Sequence, residues 1–148
     1  MGGDKVLTLN ISTNDLSNAL EKSNDLHGFI EKNQEALLQI SLPDYLKKLL
    51  AEKKLVKAEV IARSGLAKIY AYQIFSGKRS PTRKKVLALA LAMYLSTSEC
   101  NCLLRQAQCN ALYPKCKFDL IVIFALKEGF SVMETNEVLY DYGLGLLE

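Results

Sequence analysis

A chain of 148 residues is long enough for one compact domain, or for a small domain with further helices packed on it. Hydrophobic residues make up 49 %, enough to fill a core and to exclude wholesale disorder. The net charge of +3 hides a division: residues 41–92 hold twelve Lys/Arg and three acids, a net +9, while the remainder holds seven bases and thirteen acids, a net −6. A basic middle between acidic ends suits a surface turned toward a polyanion, although lysine-rich helix faces also arise for solubility alone.

The chain opens with Met1-Gly-Gly-Asp-Lys and no long apolar stretch behind it, so no secretory signal is expected. The four cysteines are then expected as free thiols in a reducing compartment, and the expected location is cytoplasmic. Residues 6–11 alternate apolar and polar as a short strand or extended arm does. Thr13 is the expected cap of a short helix carrying Leu16, Ala19 and Leu20. A second helix is expected from about Asp25, with Leu26, Phe29, Ile30, Leu37 and Leu38 on one side, weakened by Gly28.

From residue 41 the helical pattern sharpens. Pro43 suits the first turn of a helix capped near Ser41 or Leu42, with Tyr45, Leu46, Leu49 and Leu50 at helical spacing. Lys57 to Ser64 reads as a second helix burying Val60 and Ile61, closed by Gly65. Lys68 to Phe75 reads as a third, ended by Ser76-Gly77, and Thr82 to Tyr94 as a fourth. Ser96 with Glu99, and Ser131 with Glu134, are capping-box pairs that open two further helices. Between them, Lys117 to Glu128 is rich in strand formers, but the proline before it and the glycine after it favour a buried helix. Its apolar run, Leu120 to Leu126, is far too short to cross a bilayer.

The stretch Val60-Ile-Ala-Arg-Ser-Gly-Leu-Ala-Lys-Ile-Tyr-Ala-Tyr-Gln-Ile-Phe-Ser-Gly-Lys-Arg-Ser-Pro81 carries the functional signal. It resembles the lambda-repressor/Cro (XRE) helix-turn-helix pattern, over about residues 42–95. Ala62 matches the small residue where the next helix approaches, Gly65 the turn glycine, and Leu66, Ala71 and Ile74 the apolar positions that seat the recognition helix. Gly77, Lys78, Arg79 and Pro81 match the glycine-basic-proline exit. Two departures are visible: Phe75 stands where the family carries an acid, and Ala67 where it carries a polar residue.

A recognition helix buries one face and offers the other to base edges in the major groove. Tyr70, Ala71, Ile74 and Phe75 are expected inward, and Lys68, Ile69, Tyr72 and Gln73 outward. The resemblance places those four outward residues at bases: Gln73 suits adenine, Lys68 suits guanine, and Ile69 suits a thymine methyl. Ser76, Lys78, Arg79, Arg83, Lys84 and Lys85 are expected at phosphates, which position the helix without reading sequence.

Other signals are weaker. Cys100, Cys102, Cys109 and Cys116 do not have the paired spacing of a zinc site, since the first two fall on different sides of one helix. His27 is the only histidine, and no phosphate-cradling loop or metalloprotease motif occurs. Asp119, inside an apolar run, reads as a first-turn acid facing a helix dipole. No catalytic residue, metal or cofactor is therefore expected, and the chain is not read as an enzyme.

The expected fold is an all-α multi-helix bundle with a central lambda-repressor-like helix-turn-helix core. Residues 1–40 form an N-terminal arm and helical extension, 41–95 the DNA-binding domain, and 96–148 a helical extension that caps the core or dimerises. The expected function is that of a sequence-specific transcriptional regulator of bacterial or phage type, partnered by double-stranded DNA. The alternative is a protein-interaction adaptor or antitoxin-like module that keeps the fold and reads little DNA. The expected partners are thus duplex DNA, a second copy or another protein, and no membrane.

Overall fold

The structure, a computed structural model, describes residues 12–32 and 40–147. The alternating residues 6–11, with Leu37 and Leu38, lie outside the described part. Among the described residues the chain is all helical, with nine helices and no strand. It divides into two compact units, Met1–Ile40 and Ser41–Glu148. No helix among the described residues is long and apolar enough to cross a membrane.

The first unit holds α1 (Thr13–Glu21) and α2 (Leu26–Lys32). The cap of α1 is Ser12, one residue earlier than the expected Thr13, and its hydroxyl accepts from the Asp15 amide. Leu20, Leu26 and Ile30 are exposed, and α2 buries no residue.

The second unit holds α3 (Leu42–Lys53), α4 (Lys57–Ser64), α5 (Lys68–Ser76), α6 (Arg83–Ala92), α7 (Thr97–Gln106), α8 (Lys117–Glu128) and α9 (Val132–Asp141). Ser41, Ser96 and Ser131 cap α3, α7 and α9, and the last two form complete capping boxes with Glu99 and Glu134. The Lys117–Glu128 segment is a helix, with Val122, Ala125 and Leu126 buried at helical spacing.

At the centre lies α6. Every residue from Val86 to Ala92 is buried, so the helix is apolar all round and must be covered all round. α4, α7, α8 and α9 all pack against it. The core is one continuous cluster, joining Leu46 and Leu49 of α3, Val60 of α4 and Ile74 of α5 to Leu103 and Leu104 of α7, Val122 of α8 and Leu139 of α9. Each such leucine contributes on the order of 1.5–3 kcal/mol by leaving water. Residues 41–95 and 96–148, read from the sequence as separate regions, thus share one core, and the C-terminal helices cap it.

A charged clamp fastens that cap. Arg83, in the first turn of α6, donates from both terminal nitrogens to Asp119 of α8, each at 2.9 Å. Its Nε and one terminal nitrogen also donate to the carbonyls of Asn110 and Ala111. Asp119 further accepts from the Tyr113 amide. Asp119 is only 4 % exposed, so this acid in the first turn of α8 is also the buried partner of an arginine.

Candidate functional site

α4 and α5 are joined by three residues whose geometry follows from Gly65 and Ser64. Gly65 takes φ +73°, a left-handed conformation that costs a residue with a Cβ more than it costs glycine. The buried Ser64 hydroxyl donates to the Ile61 carbonyl at 2.7 Å and accepts from the Leu66 amide at 3.2 Å, stitching the turn. α5 then seats Ala71, Ile74 and Phe75 in the core against α3 and α4. Phe75, at the position where the resemblance expects an acid, is buried and contributes packing instead.

The opposite face of α5 is open. Lys68 and Ile69 are exposed, Ile69 at 75 %, while Tyr72 and Gln73 are half-buried. All four residues expected to meet bases therefore lie on or beside one accessible face. Tyr70, expected inward, is half-buried and carries two cations on its ring: Arg79 at 5.5 Å and Lys85 at 4.9 Å from the centroid. Lys57, at the start of α4, stands 5.6 Å from the Tyr72 ring and 5.9 Å from that of Phe75. Such pairs hold a charged head in place for about 0.5–1 kcal/mol each at exposed sites. Arg79 Nε also donates to Gln73 Oε1 at 2.6 Å. Ser76 is exposed but turns its hydroxyl back to the Gln73 carbonyl, and Lys78 is exposed beyond the helix end.

The expected phosphate contacts separate into two groups. Lys78, Arg79 and Lys85 gather about α5 or its exit, with Ser76 on its last turn. Arg83 does not: its guanidinium is occupied by Asp119 and two carbonyls, and those hydrogen bonds to the carboxylate hold its pKa above the ordinary arginine value. Lys84 also departs, with its amino group 5.8 Å from the Phe118 ring centroid on α8. Adjacent residues on a helix point about 100° apart, so Lys84 and Lys85 serve different surfaces. Ala62 is exposed and lines an open cleft of about 300 Å³ between α4 and α5, so its small side chain leaves space there rather than a tight helix contact.

The basic count of the middle segment also includes internal work. Arg63 donates from Nε to the Ala92 carbonyl at 3.0 Å and lies over the Tyr94 ring, and Lys53 pairs with Glu99 at 3.0 Å. Conversely, the ring platforms under Lys57, Arg79 and Lys85 were not visible in the sequence, because they join side chains from different helices or from a helix and the segment after it. Lys57 lies fifteen residues before Tyr72 and has no local motif to mark it.

The helix starts are unequal in a way that bears on charge. α3, α7 and α9 begin with a serine cap and an acid in the first turn. α5 and α6 have neither a side-chain cap hydrogen bond nor a first-turn acid, and begin instead with Lys68 and with Arg83, Lys84 and Lys85. Uncapped amide donors beside cations favour an anion from outside the chain. The cysteines form no comparable site. Cys100 is buried and Cys102 exposed, and burial pushes the Cys100 thiol up to about 12. Among the described residues no group of His, Cys, Asp or Glu is placed to hold a metal ion.

No protein family, curated protein sequence or solved structure matches the chain.

Proposed function

We propose that the protein is a sequence-specific DNA-binding regulator of the helix-turn-helix type, acting in the cytoplasm, with α5 as the recognition helix. The observation that carries this reading is the open face of α5. Its N-terminus lacks a cap and an acid, its outward positions are Lys68, Ile69, Tyr72 and Gln73, and Lys57, Arg79 and Lys85 are held against its aromatic rings. Lys68, Ile69, Tyr72 and the Gln73–Arg79 pair would meet base edges, while Lys57, Lys78 and Lys85 would hold phosphates on either side. The resemblance to the XRE pattern over about residues 42–95 supports the same reading.

The adaptor reading is favoured by one feature, the exposure of Ile69 at 75 % and of Val56 at 54 %, which would suit an apolar partner. Salt separates the two. Binding of labelled duplex DNA should weaken steeply between about 50 and 200 mM salt, because phosphate contacts release counterions. Lys85→Ala should reduce the slope of log affinity against log salt by about 1 and weaken all sequences alike. Absence of duplex binding at low salt would sink the DNA reading in favour of a protein partner for the same face.

A further inference from the structure

DNA reading by α5 does not by itself name the base that is selected; Gln73 on α5, paired with Arg79 from the segment beyond its end, does. Gln73 alone suits adenine, because its carbonyl oxygen accepts from the adenine amino group while its amide donates to N7. In this structure Gln73 Oε1 already accepts a 2.6 Å hydrogen bond from Arg79 Nε. The same guanidinium lies 5.5 Å from the Tyr70 ring centroid, so Arg79 is held at two points. Tyr70 and Gln73 are three residues apart and therefore neighbours on one helix face.

What remains on offer is donors. The terminal nitrogens of Arg79 make no hydrogen bond among the described residues, and the Gln73 amide nitrogen is likewise unengaged. One lone pair is left on Oε1, but it lies beside a full positive charge that repels an incoming amino group and draws in an acceptor. Guanine presents two acceptors, O6 and N7, at its major-groove edge, whereas adenine sets an amino donor beside its single acceptor. We infer that Arg79 and Gln73 form one composite reader selective for guanine, in which Arg79 sets the choice by occupying the Gln73 carbonyl. The inference rests on the proposed DNA reading and adds its base specificity.

The test is selection from a randomised duplex library with the wild-type protein, Arg79→Ala, Arg79→Lys and Gln73→Ala, followed by affinity measurement on guanine and adenine variants of the selected site. Wild type should select guanine at the position that Gln73→Ala relaxes. Arg79→Ala should free Oε1 and move that position toward adenine, changing the guanine-to-adenine affinity ratio by about 5- to 150-fold. Arg79→Lys keeps the charge and a donor but not the planar fork, and should weaken the guanine preference less than Arg79→Ala does while retaining most of the affinity. Adenine at that position in wild type, or guanine retained by Arg79→Ala, would overturn the inference while leaving DNA reading intact. The pairing is also read without DNA: the Gln73 side-chain amide signals in a nitrogen–proton spectrum should move in Arg79→Ala. Unmoved signals would overturn it even in a protein that binds DNA. Failure of wild type to bind any duplex at low salt would overturn the DNA reading and this inference together.

Discussion

At the scale of single residues, Arg83 and Asp119 show why charge counts mislead. A carboxylate taken out of water costs several kcal/mol unless it is paired. Asp119 has that partner in Arg83, which lies 36 residues away, beyond any local pattern. The two ends of the pair are not equivalent, since the side chains are 28 % and 6 % exposed for Arg83 and Asp119. Arg83→Ala leaves a buried carboxylate with one amide donor, from Tyr113, and should cost about 3 kcal/mol. Asp119→Ala leaves a guanidinium that reaches water and keeps the Asn110 and Ala111 carbonyls, so roughly 1–2 kcal/mol is expected. Urea denaturation of both variants decides it; equal losses would show that the asymmetry is wrong. If the protein binds DNA as proposed, the folded Arg83→Ala variant should keep the wild-type salt slope, which loss of a phosphate contact would lower.

Cys100 gives a second residue-scale test, through pH. Burial holds its thiol protonated up to about 12, whereas an unfolded cysteine ionises near 8.5. Above the unfolded value the native state binds the extra proton, so stability falls as pH rises between those two values. Cys100→Ala should lose some stability below about pH 8 and lack that part of the alkaline decline, so that its deficit against wild type shrinks in thermal melts from pH 8 upward. A decline of the same slope in the variant would assign it to other groups. Cys102 and Cys116, both exposed, should react with a thiol reagent at once in the native protein, and Cys100 only on unfolding.

At the scale of elements, what the sequence reveals depends on how local the cause is. The capping boxes at Ser96 and Ser131 span three residues and are readable directly; the structure contains both. The ends of α4 and α5 are marked by Gly65 and Gly77, for which a positive φ is required. The two glycines nevertheless differ in a way that only packing shows. A Cβ at Gly65 meets nothing within 4 Å, whereas at Gly77 it falls 3.1 Å from Pro43 Cγ on α3. Gly65→Ala should therefore cost about 1 kcal/mol from backbone strain alone. Gly77→Ala should cost more, because the strain is joined by a tight contact with the Pro43 ring, which must give by a few tenths of an ångström. Chemical denaturation of the pair measures the difference, and a Gly77→Ala cost no larger than that of Gly65→Ala would remove Pro43 from the account. The ring platforms of Tyr70 and Tyr72 belong to the same unreadable class, since each joins residues from separate elements.

At the scale of the whole molecule, α6 decides how the chain divides. Reading the sequence by resemblance suggests a boundary near residue 95, because the familiar pattern ends there. The composition of α6 argues otherwise. Val86 to Ala92 is apolar at every position, so no face is left for solvent. α4 covers part of it, and α7, α8 and α9 cover the rest. A fragment of residues 41–95 would lose α7, α8 and α9, which pack against the apolar α6, and would leave Arg83 without Asp119. At about 25 cal/mol per Å² of apolar surface, exposing even a few hundred Å² removes several kcal/mol, comparable to the net stability of a small domain. The fragment 41–95 should therefore aggregate or show little helical circular dichroism and no cooperative melt. The fragment 41–148 should retain a cooperative melt, because it keeps the whole core cluster and every contact of the Arg83 clamp. A cooperatively folded 41–95 would show that this segment is autonomous and that the C-terminal helices are an accessory. Failure of 41–148 to fold would show that the first 40 residues contribute to the stability of the core.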